Sequence, residues 1–234
     1  MKLGVLGGTF DPIHNGHISA AEAAQRTLGL DAIMLIPSRT PPHRDDPVGS
    51  TSEQRYDMAR LAATDHPGWS ASRIELDREG PSYTFDTLQT LCRELALTLR
   101  QAQGHPEQSR GMSEQSSPAG DDCESTSTQI FFITGADAFA EIATWSRYPT
   151  VLDLANFVVV SRPGITLDSL RARVPSAFRD RPSASTRVIL VEAHTPDISS
   201  TDIRRRVRAG QSVSGYVPDP VARYIEEHRL YSGH

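Results

Sequence analysis

Long hydrophobic runs are missing from this chain. No stretch approaches the roughly 18 apolar residues of a membrane-spanning helix, so a soluble protein is expected. The short apolar run that begins at Lys2 is broken by Gly7, Gly8 and Asp11 before the core of a secretory leader could form. Cysteine is scarce as well: Cys92 and Cys123 are the only two. Neither lies in a CxxC or Cys/His spacing that would suggest a zinc site, and neither has a motif around it that would mark an activated nucleophile. Two such residues in a chain of this size point to reduced thiols and a cytoplasmic protein. Positive charge is not in surplus either. Against 29 Asp and Glu stand 24 Lys and Arg, for a net charge of −5, which argues against a partner bound through its nucleic-acid backbone. Any phosphate ligand must therefore be met by local groups. No internal repeat is found.

What is present suits one large domain: 234 residues, 38% hydrophobic and 23% charged, enough to bury a sizeable core. Short apolar runs recur at Lys2 to Leu6, Ala32 to Ile36, Ile130 to Ile133, Phe157 to Val160 and Val188 to Val191. Helical patterns separate them, at Gly16 to Leu28, Ser52 to Ala63, Thr84 to Leu99, Ala136 to Thr144, Ser200 to Ala209 and Pro218 to His228. Such alternation predicts an α/β fold, a mainly parallel sheet with helices on both faces. Residues 101 to 128 contain no Val, Ile, Leu, Phe, Tyr or Trp. With so little to bury they are expected to form a flexible low-complexity insertion between a helix and a strand. A surface loop is expected at Arg179 to Thr186.

The first strand runs into GGTFDPIHNGH, residues 7 to 17, and then into an Ala-rich helix. In an open parallel sheet, ligands bind beyond the C-terminal ends of the strands, so a nucleotide is expected here. Gly7 and Gly8 leave room for close approach of the backbone to a ligand. His14 and His17 flank the helix start, where free N–H groups and the helix dipole favour an anion and imidazoles can add hydrogen bonds to phosphate oxygens. The string is not a P-loop, because no GKS or GKT follows, and GxGxxG is absent.

GGTFDPIHNGH resembles the signature of the HxGH nucleotidyltransferase superfamily, and its full form looks like that of bacterial nicotinate-nucleotide adenylyltransferases. PSYTFDTL at 81 to 88, FITGADAF at 132 to 139 followed by Trp145, SRPG at 161 to 164, ISSTDIR at 198 to 204 and YVPDPVARYIEEHRLY at 216 to 231 resemble that family in the same order. The resemblance implies a Rossmann-like, doubly wound fold. It also implies transfer of the adenylyl group of ATP to nicotinate mononucleotide, giving nicotinate adenine dinucleotide and pyrophosphate in NAD biosynthesis.

The residues support roles of that kind. Ser199, Ser200 and Thr201 place hydroxyls at a helix start, with Arg204 one turn in and a guanidinium suited to bidentate phosphate contact. Tyr83 and Thr84 precede another helix, whose N–H groups would prefer the carboxylate of nicotinate to the amide of nicotinamide. By resemblance, His14, His17 and Arg204 are the catalytic set. ATP falls to Gly7, Gly8, Thr9, Phe10, Gly16, Gly135, Asp137, Arg162, Ser199, Ser200 and Thr201, and the mononucleotide to Tyr83, Thr84, Trp145 and His43. Trp145 is expected to stack on the pyridine ring. Arg205, Arg206 and Arg208 read as a solvated basic face, and Trp69 as packing. Mg²⁺ is expected to ride on the ATP phosphates and not on protein ligands, and self-association is left open. Three alternatives are weighed: an adenylyltransferase for phosphopantetheine, which would carry Thr at the position of His14; an enzyme that also accepts nicotinamide mononucleotide; and a non-catalytic pyridine-nucleotide sensor, which would be expected to have lost one of the motif's histidines or Arg204.

Overall fold

The computed structural model describes residues 1–41, 49–102, 128–161, 166–178 and 187–232. His43, Arg162, the loop expected at 179–186 and nearly all of the expected insertion lie outside the described residues.

Among the described residues six strands form one parallel sheet: β1 (Lys2–Gly8), β2 (Ala32–Pro37), β3 (Trp69–Ala71), β4 (Gln129–Gly135), β5 (Asn156–Ser161) and β6 (Val188–Glu192), in the order β3-β2-β1-β4-β5-β6. The chain winds outward from β1 in one direction to β3, then returns and winds the other way from β4 to β6. The reversal between β1 and β4 opens a crevice at the C-terminal edge of the sheet, where ligands of open α/β sheets bind. Around the sheet lie α1 (Asn15–Leu28), α2 (Ser52–Ala63), α3 (Thr84–Ala102), α4 (Ala136–Ala140), α5 (Leu167–Arg173), α6 (Ser200–Arg208) and α7 (Asp219–Glu227). Among the described residues no helix is long and apolar enough to cross a membrane.

The apolar runs read continuously because both faces of the sheet are covered. Phe131, Ile133, Val158 and Val160 face a core shared with α1, α2, α6 and α7. Their neighbours Ile130, Phe132, Phe157 and Val159 face a second core with α3, α4 and α5. Local signals set the helix ends. Thr51 and Gln54 form a reciprocal capping box at the start of α2, with Gln54 N–H donating to Thr51 Oγ1 at 3.2 Å and Thr51 N–H to Gln54 Oε1 at 2.9 Å. Gly29, at φ 61°, stops α1 in the left-handed conformation.

Several details depart from the sequence reading. Strand β3 was not anticipated: it has three residues at the sheet edge, too few for a periodic signal. It begins at Trp69, whose indole donates to Gln25 Oε1 at 2.8 Å and stacks on His66. The helix expected over 136–144 ends at Ala140 and is followed by a separate 3₁₀ turn, Ile142–Thr144. Helix α5 was also missed, and α3 extends past Leu99 to Ala102. Cys92 is buried on α3, and Cys123 lies outside the described residues.

Candidate active site

The loop after β1 is shaped first by its own rings. Phe10 adopts φ 51°, a left-handed backbone uncommon outside glycine, and its ring is 1% exposed. A Cβ on Gly8 would come within 2.9 Å of that ring, and one on Gly16 within 3.0 Å of the His14 imidazole. Both glycines therefore make room for side chains of this loop; for Gly8 the sequence reading had invoked only the approach of a ligand. Gly7 is different: a Cβ there would reach only ordinary contact with Phe132 at 3.5 Å.

Phe10 in turn meets His17 edge-on, with centroids 5.1 Å apart. The two imidazoles lie 3.7 Å apart, tilted by 32°. The backbone N–H of His14 donates to His17 Nδ1 at 3.2 Å. A nitrogen that accepts cannot carry the proton, so the neutral His17 ring holds it on Nε2 as a donor. Burial lowers the pKa of His14 to about 4, and desolvation, reinforced by the neighbouring His14, lowers that of His17 well below the ordinary value of 6.5. The pair is thus neutral at physiological pH, as donors need no net charge.

This has a consequence for stability. The unfolded chain protonates its histidines near 6.5 while the folded pair resists, so between 6.5 and about 4 the unfolded state binds more protons and stability falls as pH falls. For His14 alone the full shift is worth at most about 3 kcal/mol. Urea unfolding at pH 7 and pH 5 should show a steeper loss in the native protein than in His14→Gln, and equal slopes would contradict the burial argument.

Behind the loop lies a buried polar network. The Asp11 carboxylate accepts from Gly49 N–H at 2.8 Å, Ser50 Oγ at 2.6 Å and Tyr231 Oη at 2.9 Å, and pairs with Arg204 Nη1 at 3.4 Å. Arg204 Nη1 also donates to the Asp11 carbonyl at 2.7 Å, and its Nη2 to Thr201 Oγ1 at 3.1 Å. Arg55, fully buried on α2, donates to the carbonyls of Thr9 at 2.9 Å and Arg39 at 3.1 Å, and to that of Ser38. The loops after β1 and β2 are therefore tied together from behind.

In front of them opens a cavity of about 610 Å³ at the ends of β1, β2 and β4. Of the residues singled out in the sequence, Gly7, Gly8, Thr9, Phe10, His17, Tyr83, Thr84, Trp145, Ser200 and Thr201 line it. His14 sits behind His17. Ser199 caps α6, accepting from Asp202 N–H at 3.1 Å, and Ser200 Oγ donates to the Pro12 carbonyl at 3.0 Å. Gly135 and Asp137 are exposed at the start of α4, beside the lining residues Thr134 and Ala138. Arg204 is not among the residues that line the cavity. A buried guanidinium must be paired, and this one is paired with Asp11 and the loop backbone. Arg205 and Arg208 are exposed as expected, and Arg206 lies over the Tyr216 ring.

Sequence reasoning missed Ser38, Glu75, Phe132, Thr134 and Thr87 in the lining, and Asp11, Arg55 and Tyr231 behind it. Phe132, Thr134 and Thr87 belonged to strings that were noticed, but Glu75 and Arg55 carried no local signal. Among the described residues no group of three or more His, Cys, Asp or Glu could hold a metal ion. The cavity's donors are hydroxyls, the His17 ring and helix starts, a set suited to anions.

The cytidylyltransferase-like family model matches residues 5–206. A protein of Roseiflexus sp. (strain RS-1), named "Probable nicotinate-nucleotide adenylyltransferase", is 38% identical over 229 residues, covering 98% of this chain and 97% of the relative. A protein of the same name from Symbiobacterium thermophilum is 37% identical over 230 residues, covering 98% and 95%. Among solved structures, Plasmodium falciparum nicotinic acid mononucleotide adenylyltransferase complexed with NaAD matches with a TM-score of 0.66 at 16% identity, covering 98% of this chain and 97% of that one, a likeness of fold.

Proposed function

This chain belongs to the cytidylyltransferase-like family, together with the nicotinate-nucleotide adenylyltransferases it matches along its length, and from that premise we propose that it joins ATP and nicotinate mononucleotide to give nicotinate adenine dinucleotide and pyrophosphate. The observation that carries the reading is that one cavity is bordered by two different receptors. The β1 loop with His17 and the start of α6 contribute one set of lining residues, and the start of α3 with Trp145 another.

The first receptor is assigned to the triphosphate. His17 Nε2, the hydroxyls of Thr9 and Thr201, and the N-terminal ends of α1 and α6 offer donors and positive dipole ends. The second is assigned to the pyridine mononucleotide, with its ring against Trp145 and its carboxylate toward Tyr83 and Thr84. A phosphate monoester has its second pKa at about 6, so the attacking oxygen is already anionic at neutral pH and needs no general base. A bond forms between that oxygen and the α-phosphorus while the bond from the α-phosphorus to the α–β bridging oxygen breaks, and pyrophosphate leaves with the electron pair. His17 stabilises the charge that builds on the α-phosphate as a neutral, preorganised donor. Arg204 acts at one remove, holding Asp11, Thr201 and so the loop in place. Mg²⁺ would be held by phosphate oxygens and water, not by this chain's side chains, and would supply charge neutralisation to the triphosphate.

Pyrophosphate release from ATP should depend on nicotinate mononucleotide and be slower with nicotinamide mononucleotide. Release with neither would sink the reading. Within it, Trp145→Ala should weaken the mononucleotide tenfold or more, because an aromatic contact is worth about 0.5 to 1.5 kcal/mol beyond its buried area. ATP affinity should change far less in separate titrations. Equal weakening of both ligands would make Trp145 a packing residue, held by Phe132 and Phe157 at centroid distances of 6.0 and 6.4 Å.

A further inference from the structure

Glu75 lies in the segment between β3 and α3, 6% exposed, and contributes to the cavity wall. Its Oε1 accepts from Thr87 Oγ1, one turn into α3, at 2.6 Å. Its Oε2 is buried and has no hydrogen-bond partner among the described residues. A buried carboxyl oxygen without a partner is costly, and a ligand group bonded to it would remove that cost. Its surroundings are those assigned to the pyridine end of the mononucleotide. Ser82, Tyr83, Thr84 and Thr87 line the same wall, and Phe132 and Trp145 line the cavity with them.

We propose that Glu75 is a specificity-determining residue for the pyridine substituent, acting as an uncharged carboxylic acid whose Oε2–H donates to the carboxylate of nicotinate mononucleotide. The inference rests on the reaction proposed above and assigns it a residue outside the matching strings.

Electrostatics support the uncharged form. Burial raises the pKa of Glu75, outweighing the hydroxyls of Thr87, Ser82 and Ser38 and the charge of Arg78, which favour the anion. A substrate carboxylate arriving at the start of α3 acts in the same direction, because two carboxyl groups in contact share a proton more readily than they both ionise. A buried acid kept neutral in this way is a strong, fixed donor. Nicotinamide can offer its carbonyl to the same donor, but without the charge that doubles the strength of such a bond.

Turnover should be measured for the native protein, Glu75→Gln and Glu75→Leu, with kcat/KM for each mononucleotide and KM for ATP. Glu75→Gln keeps a neutral N–H donor of the same reach, so the preference for acid over amide should stay within about threefold. Glu75→Leu removes the donor. It should lower kcat/KM for nicotinate mononucleotide about tenfold or more, lower that for the amide less, and leave KM for ATP unchanged. A several-fold gain with nicotinate mononucleotide in Glu75→Gln would overturn the proposal, since it would mean that an ionised Glu75 repels the substrate. Equal losses for all three ligands in Glu75→Leu, or no change in that variant, would overturn it too. Should Glu75→Leu fail to fold, the infrared difference between the native protein and Glu75→Gln decides: a carboxylic-acid C=O band must be lost, and its absence from the native spectrum refutes the neutral acid. Native turnover with nicotinate mononucleotide is the control. Without it the reaction itself fails; with it, only the role of Glu75 is at stake.

Discussion

Replacing Asp11 with alanine is expected to destabilise the fold by about 3 to 5 kcal/mol, the cost typical of breaking a buried ion pair by removing one partner. The Asp11 side chain has no exposure and that of Arg204 only 7%, so the guanidinium would be left without its carboxylate in a place water does not reach. Gly49 N–H and the Ser50 hydroxyl would be stranded with it, and the Tyr231 hydroxyl would keep only Ser50 Oγ, at 3.2 Å, as acceptor. Burial, followed by the charge of Asp11, raises the pKa of Tyr231, so that hydroxyl keeps its proton and remains a donor. The network joins the β1 loop, the residues before α2, the start of α6 and the chain's last turn. Its loss should therefore appear in urea unfolding as a lower midpoint and in activity as a disordered loop. Tyr231→Phe removes one donor and keeps the ring, and should cost only about 1 kcal/mol. If Asp11→Ala cost no more than Tyr231→Phe, the network would not be what fixes the loop.

His17→Ala should lower turnover about 10²-fold or more while the protein still folds, because one preorganised donor to transition-state charge is typically worth about 3 kcal/mol. The hydrogen bond from His14 N–H to Nδ1 orients the ring, and Phe10 packs against it edge-on, so its donor is fixed before substrate arrives. The alanine variant also removes the acceptor for His14 N–H, which could loosen the loop. Two further variants separate the effects. His17→Asn can keep an acceptor near the Nδ1 position, and His17→Gln can place an N–H near Nε2, so turnover should recover partly in the glutamine variant and not in the asparagine one. Equal recovery in both would mean that His17 matters for loop structure alone.

Much of this was legible in the sequence, for reasons that also explain the gaps. Five of the six strands announced themselves as apolar runs, because a parallel sheet covered on both faces demands continuous burial. The loop at 7–17 was legible because its glycines, histidines and position after the first strand point to one another. Strand β3 left no pattern in three residues, and α5 is a seven-residue helix. The buried charges were invisible for another reason. Asp11 meets Arg204 and Tyr231 across 193 and 220 positions, and Arg55 reaches back 46 to Thr9. No local spacing encodes such contacts. Arg204 shows the same gap: its place near a helix start is legible, but its buried pairing with Asp11 is not.

The most direct measurement uses ATP labelled at the α-phosphorus, incubated with the protein, Mg²⁺ and nicotinate mononucleotide, with the products separated. The label is expected in a dinucleotide containing the pyridine, formed in equal amount with unlabelled pyrophosphate and absent when the mononucleotide is left out. Label recovered in AMP or remaining in ADP, with no dinucleotide formed, would contradict adenylyl transfer by this chain.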